Sequence, residues 1–392
     1  MPIMSSHSFS LRFLHLALLL FIVEFVRGSI IYAFLPVYGQ KTLGMSIAVV
    51  GMAVTAHSLV DLVGKTIAGA ILDHLSVRWV IMISMLLAFF GLLALPWMHV
   101  AWGFIAAAAL FGVGISPVWL VAMSLVEERL RSTQMGLLYA FWLIGTGGGL
   151  VLTNFFLDHQ SKFPLILSLI LWALGILSTI FLSNQPIVGL KAPRLREQWS
   201  ALKRQIRHTR PLLPGMLMQT LAAGMLIPVL PDFVSKHLGI TYSDYSYVLM
   251  SGGAVAMLAL LPMGRLADHF GKKWFLVVGF LGLSTVLWIA PLLKSVSATI
   301  VLAILLGGFY ASVLPAWNAL LAQYVPKDYK GMGWGLFSSI EGIGVLIGPA
   351  LGGFIALHFS TVGTIVTSAF LLLSIAVFYG FSHKSFFEPQ RS

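Results

Sequence analysis

Four ionisable residues, Glu24, Arg27, Asp61 and Glu341, stand near the centres of otherwise apolar runs. Glu24 and Arg27 lie in an apolar run over 11–38, His57, Asp61 and Lys65 in one over 46–72, and Glu341 in one over 332–357. A charge at the middle of a bilayer costs roughly 2.5–3.5 kcal/mol or more, so each is a functional candidate by default. Glu24 and Arg27 are three apart and share a helical face. His57, Asp61 and Lys65 recur every fourth residue and form one stripe. Carboxylates held against cations can give up a pairing when a proton arrives. Asp61, Glu24, Arg27 and His57 are therefore the proton-coupling candidates. The competing readings are a structural ion pair for Glu24 and Arg27, and a Lys65 that snorkels to the interface.

Aromatic residues supply a second set. Trp119 follows Pro117, Tyr139 and Trp142 share one later span, and Trp317 follows Pro315 and precedes Asn318. A tryptophan in mid-membrane offers a flat face and one N–H donor, suited to stacking on sugar rings, although packing is the plainer use. With Glu341 and Asn318, these four are the substrate-contact candidates. The His-x-x-x-Asp at 57–61 lacks the further ligands of a metal site. The chain also has no Walker-type loop with which to hold a nucleotide. No catalytic residue, metal or cofactor is expected, and no enzymatic activity.

These side chains must be positioned by membrane helices. Of the 392 residues, 58% are hydrophobic and 9% charged, whereas soluble domains carry about 25% charged residues. Apolar runs of about 20 residues, each able to cross a bilayer, fall at 11–38, 46–72, 78–98, 101–124, 134–157, 163–183, 212–234, 244–266, 273–293, 297–321, 332–357 and 361–381. They are spans 1 to 12. The first is too long for a signal-peptide core and is read as a retained span. Apart from Arg27 and Lys65 within spans, only Lys41, Lys162, Lys236 and Lys294 fall on one side, and every other Lys and Arg falls on the opposite side. The positive-inside rule then predicts that both termini are cytoplasmic. The net charge of +11 reflects topology, and no nucleic-acid partner follows from it. There is no cysteine, which excludes disulfides and thiolate metal sites.

The chain repeats itself. "LPVYGQKTLG" at 35–44 matches "LPDFVSKHLG" at 230–239, and "GAILDHLSVR" at 69–78 matches "GRLADHFGKK" at 264–273, both at an offset of 195. "SPVW" at 116–119 matches "LPAW" at 314–317. A basic segment between Pro186 and Pro211 interrupts the apolar pattern. The expected organisation is a six-helix bundle over 1–189, a cytoplasmic linker over 190–211 that is solvated or lies on anionic headgroups, and a second bundle over 212–392. Gly264, Asp268, Gly271 and Lys272 form a loop that resembles the signature of the major facilitator superfamily. Gly69, Asp73 and Arg78 are its weaker first copy, with Ser76 in place of a glycine. The resemblance implies an all-α membrane protein with twelve transmembrane helices in two bundles, and these residues as gating loops.

At the repeat offset, Glu24 corresponds to Gln219, Arg27 to Ala222 and Asp61 to Ala256. If one cavity separates the halves, it is polar on one side and apolar on the other, which suits an amphiphile. "EFVRG" at 24–28, "GISPVWLVAMSLVEE" at 114–128, "QMGLLYAFWLIG" at 134–145, "LLPGMLMQTLAAGMLIPVLP" at 212–231 and "WGLFSSIEGIGVLIGPALGG" at 334–353 resemble the glycolipid flippases of lipoteichoic-acid assembly in Gram-positive bacteria. That resemblance implies a proton antiporter in the bacterial cell membrane. Its cargo is a diglucosyl-diacylglycerol, moved from the inner to the outer leaflet by alternating access. It places Glu24, Arg27 and Asp61 in the proton-linked network and Trp119 and Trp142 on the headgroup. The partners expected are that lipid or another amphiphile, protons and membrane lipids, with the chain a monomer. The alternative is a proton-coupled exporter of drugs or other amphiphiles.

Overall fold

The computed structural model describes residues 11–72, 74–126, 131–159, 161–185, 209–324, 330–383 and 387, the side chains at 66, 69, 70, 131–133, 136 and 330–336 excepted. The expected linker lies almost wholly outside them, as does Asp73. No strand occurs among the described residues. Eleven helices there are long and apolar enough to cross a bilayer, and a bent pair, Arg210–Leu226 and Leu230–Leu238, meets at 46° to make a twelfth. Large apolar side chains such as Leu258, Phe181 and Phe381 are left exposed along them. In hydrocarbon that is the favourable arrangement, because every backbone polar group is satisfied inside its own helix.

Several spans are not regular, and the irregularities sit beside the polar residues. Span 1 begins as an α-helix over Leu11–Ser29, widens into a π-helical turn over Ile30–Phe34 and resumes over Leu35–Lys41. Span 4 is two helices, Ala101–Gly112 and Ser116–Ser124, with Pro117 in the first turn of the second. Proline has no N–H to give to a preceding carbonyl, and an N-terminal turn is where that loss matters least. Span 7 breaks between Leu226 and Leu230, around Pro228 and Pro231. Span 10, by contrast, runs unbroken over Val296–Gln323 despite Pro315. Helix starts are capped by side chains: Ser76 accepts from the Trp79 N–H, and Thr241 and Asp244 cap each other reciprocally. Such caps satisfy donors left over at a helix start.

The chain falls into two compact units. One comprises residues 1–35, 56–156 and 160–192, and the other 36–55, 157–159 and 193–392. Within the first, spans 1 and 5 approach closely through glycines. A side chain on Gly28 would collide with the backbone of Thr146, and one on Gly149 with the backbone of Phe25. Small residues at such a crossing replace the hydrophobic drive that lipid cannot provide between helices. Within the second, Gly224 and Gly348 face each other where spans 7 and 11 cross, and a side chain on Gly348 would collide with the backbone of Gly224. There too, Asp158 accepts from the N–H groups of Tyr242 and Ser243, at 2.8 and 2.9 Å, and from the Ser243 hydroxyl at 2.6 Å. A carboxylate at the start of the helix Tyr242–Phe270 fits both its free donors and its dipole.

The glycine crossing makes a direct prediction. Gly149→Val forces two backbones apart and is expected to destabilise the folded protein by about 1–3 kcal/mol or more. Gly147, on the same helix, has nothing within 4 Å of an added Cβ, so Gly147→Ala is expected to be neutral or slightly stabilising. Thermal unfolding in detergent checks the pair. Equal melting temperatures for the two variants contradict the assignment.

Candidate functional site

In the first unit the polar residues of spans 1, 2, 4 and 5 converge. Glu24 is fully buried. Its Oε1 accepts the indole N–H of Trp119 at 2.6 Å, and its Oε2 accepts the Thr146 hydroxyl at 3.1 Å. Arg27, one turn further along, lies 3.7 Å from Glu24 Oε1 and 3.6 Å from Asp61 Oδ2. Lys65 reaches the same Asp61 oxygen at 3.3 Å. Two acids and two bases thus share one cluster. The distances divide the labour. Glu24 is fixed by short hydrogen bonds to neutral donors, whereas Arg27 meets both acids beyond ordinary hydrogen-bond length. Asp61 Oδ1 and Arg27 Nε are buried with no hydrogen-bond partner. Buried polar atoms are nearly always paired, so this cluster is incompletely satisfied around Asp61. A group left in that state responds most to a proton or a water.

The aromatic candidates extend the cluster outward. Trp119 lies 6.0 Å from Tyr139, which lies 6.5 Å from Trp142 at right angles to it. Tyr139 is 51% and Trp142 37% exposed. The result is a ladder from a buried carboxylate to two open aromatic faces.

His57 stands apart from this network. Its Nδ1 is 3.2 Å from the Ala108 carbonyl, its ring stacks on Phe111 at 5.2 Å, and its Nε2 is buried without a hydrogen bond. No hydrogen bond joins it to Asp61; the Ala108 carbonyl and Phe111 hold the ring against span 4. Thr146, whose short neutral side chain gives no signal in the sequence, is the further residue bonded within the cluster.

The second unit holds a related arrangement. Trp317, the repeat mate of Trp119, donates its indole N–H to Glu341 Oε1 at 2.9 Å, and the Gln219 amide donates to the same oxygen at 3.3 Å. Trp317 is buried against Tyr379 and Phe280, so its face is occupied by packing and only its N–H serves the site. Asn318 turns its amide to the Leu314 carbonyl of its own helix at 3.1 Å. It takes no part in this cluster.

The signature-loop residues also have definite places. Arg78 donates from Nε and Nη2 to the Leu182 carbonyl, at 3.1 and 2.9 Å, and Lys273, its repeat mate, donates to the Ser382 carbonyl at 2.7 Å. Each ties the start of its unit's third span to the end of the sixth, where cations also meet the negative end of the helix dipole. Gly264 packs on Pro315, and Gly271 takes φ +92° where one helix stops and the next begins at Lys272. That φ favours glycine because it has no Cβ. Asp268 is exposed and has no ion-pair partner among the described residues. Gly69 falls within the helix Ile47–Leu72.

Known proteins share both the sequence pattern and the fold. The chain is 28% identical over 386 residues to a protein of Staphylococcus saprophyticus named proton-coupled antiporter flippase LtaA, covering 96% of each chain. It is 28% identical over 378 residues to the protein of that name in Staphylococcus aureus, covering 94% of each. Among solved structures, the nucleoside transporter NupG superposes with a TM-score of 0.73 at 14% identity, over 96% of this chain and all of the other. A bacterial homologue of the human lysosomal transporter Spinster gives 0.74 at 14% identity, over 94% and 95% of the two chains. The D-xylose–proton symporter gives 0.69 at 13%, over 95% and 99%. At such identities the superpositions speak for the fold alone. The sequence pattern of the Major Facilitator Superfamily matches residues 16–219 and again 212–390, and the chain belongs to that superfamily.

Proposed function

We propose that this protein is a proton-coupled flippase that carries the glycolipid anchor of lipoteichoic acid from the inner to the outer leaflet by alternating access. It would act as a monomer in the bacterial cytoplasmic membrane with both termini inside, its two bundles spanning 1–189 and 212–392. The observation that carries the reading is the first-unit cluster. A fully buried Glu24 is bound to Trp119, with Arg27 shared between it and Asp61. The relatives named as proton-coupled antiporter flippases match nearly the whole chain, and this adds weight.

The mechanism follows from charge balance. With both acids ionised, Arg27 and Lys65 are neutralised and the cluster carries no net charge. A proton arriving from the acidic outer side and held by Asp61 leaves Arg27 with Glu24 alone. Arg27 cannot itself lose a proton, so the surplus charge has to be met by movement or by water. In this scheme protonation favours return of the empty carrier, and deprotonation on the inner side resets it. Tyr139 and Trp142 offer their open faces to a sugar headgroup beside this cluster, with Trp119 linking them to Glu24. Glu341, Trp317 through its N–H, and Asn318 would be substrate contacts of the second unit in their own right. His57 would support the cluster by packing, and the residues around Arg78 and Lys272 would serve as gating loops.

Two outcomes follow in proteoliposomes loaded with a fluorescent diglucosyl-diacylglycerol that is quenched from outside. A gradient acid on the outer side should speed flipping in the wild type. Asp61→Asn, which keeps shape and loses the titrating group, should abolish that acceleration. Export of cationic dyes with no movement of glycolipid would replace the lipid reading with that of a drug exporter. Separately, Trp142→Ala should weaken glycolipid transport about 2- to 12-fold by removing a stacking face of about 0.5–1.5 kcal/mol, and Trp142→Phe should restore most of it. Unchanged half-saturation in the alanine variant would remove Trp142 from the headgroup site.

A further inference from the structure

Both units place an indole N–H on a carboxylate, yet the two acids are held differently. Trp119 and Trp317 are repeat mates, whereas Glu24 lies on span 1 and Glu341 on span 11. The third partner changes sides in compensation: Thr146 of span 5 in the first unit, and Gln219 of span 7 in the second. Glu24 is fully buried, has both oxygens hydrogen-bonded and lies beside Arg27. Glu341 is half-buried and receives both of its hydrogen bonds on Oε1. Its Oε2 accepts none and is not sealed in the interior.

Glu341 has no cationic partner among the described residues: no Lys, Arg or His there lies within ion-pair distance of it. The neighbouring helices explain why. Leu213–Leu226, Val296–Gln323 and Thr361–Phe381 contain no acidic or basic residue, and neither do residues 47–55, which pack near Pro349. The titratable groups they contribute are Tyr310 and Tyr379, and of these Tyr379 lies against Trp317. An isolated carboxylate in such surroundings is stabilised as an anion by two N–H donors and nothing more. With Oε1 held by two N–H donors and Oε2 accepting none, a proton can enter and leave at Oε2 without breaking either hydrogen bond.

We propose that Glu341 is a second proton-carrying site, separate from the Arg27 cluster, in which Oε2 takes and releases the proton while Trp317 and Gln219 hold Oε1. The inference rests on the proton-coupled reading above but not on the identity of the cargo. Trp317 and Gln219 are positioning residues in this scheme.

Infrared difference spectra of the purified protein between acidic and neutral buffer test it without any cargo. The wild type should show a carboxylic-acid C=O band that Glu341→Gln diminishes and that Asp61→Asn, acting on the other site, leaves in part. In the wild type itself, dicyclohexylcarbodiimide should label Glu341, with the yield falling as pH rises, as located by mass spectrometry. In liposomes Glu341→Gln should reduce the gradient's acceleration of transport several-fold, and Glu341→Asp should restore part of it. An unchanged difference spectrum in Glu341→Gln, or no pH-dependent labelling of Glu341 in the wild type, overturns the inference. Flipping that fails for the wild type while spectrum and labelling behave as stated instead removes the cargo assignment and leaves the second proton site standing.

Discussion

An arginine inside a membrane bundle cannot become neutral, and most of the first unit is arranged around that constraint. Arg27 must be met by negative charge wherever the helices go. Glu24 meets it from the same helix, at a spacing that persists through any rigid movement of span 1. Asp61 meets it from span 2, so that pairing depends on how two helices are placed. One contact is therefore permanent and the other conditional. In the proposed mechanism a proton on Asp61 would remove the conditional contact and leave the permanent one, changing what holds spans 1 and 2 together. The long separations, 3.7 and 3.6 Å, suit this role, because a tighter pair would resist release.

Trp119 gives the same constraint a second expression. Its N–H holds Glu24 while its ring lies against Tyr139, so the charge cluster and the exposed aromatics share a side chain. The break in span 4 before Ser116 places Trp119 on its own short helix. The second unit keeps the indole and moves the acid. Span 10 is unbroken there, Trp317 packs against Phe280 and Tyr379, and among the described residues no arginine lies within ion-pair distance of Glu341. The repeat thus preserved a hydrogen-bond geometry while its electrostatic purpose changed.

The spans were legible in the sequence because hydrocarbon imposes one requirement on every residue of a helix, and a run of about 20 apolar residues has few other uses. The charged candidates were legible for the same reason: Glu24, Arg27, Asp61 and Glu341 violate the rule. What the sequence hid was orientation. His57 shares a stripe with Asp61, but its ring goes to Phe111 and the Ala108 carbonyl, because a side chain can leave its stripe through χ1 alone. Asn318 follows Trp317 yet bonds its own helix, as short polar side chains readily do. Thr146 and Gln219 went unread because a neutral donor carries too little desolvation penalty to stand out. The π-helical turn at Ile30–Phe34 left no mark either, since it changes the hydrogen-bond register and not the composition.

The fold does not choose the cargo. A nucleoside transporter and a xylose symporter share it at 14% and 13% identity, so the architecture serves small polar solutes as readily as anything else. Discrimination has to come from the few side chains that are not obeying the membrane. Here those side chains form a charged cluster with an aromatic ladder in one unit and a single uncompensated acid in the other. A sugar bound in that first unit would find stacking faces beside carboxylates, as sugars require. In the second unit the helices beside Glu341, Leu213–Leu226, Val296–Gln323 and Thr361–Phe381, carry no acidic or basic residue, so the polar chemistry there is confined to one carboxylate and the two N–H donors that hold it.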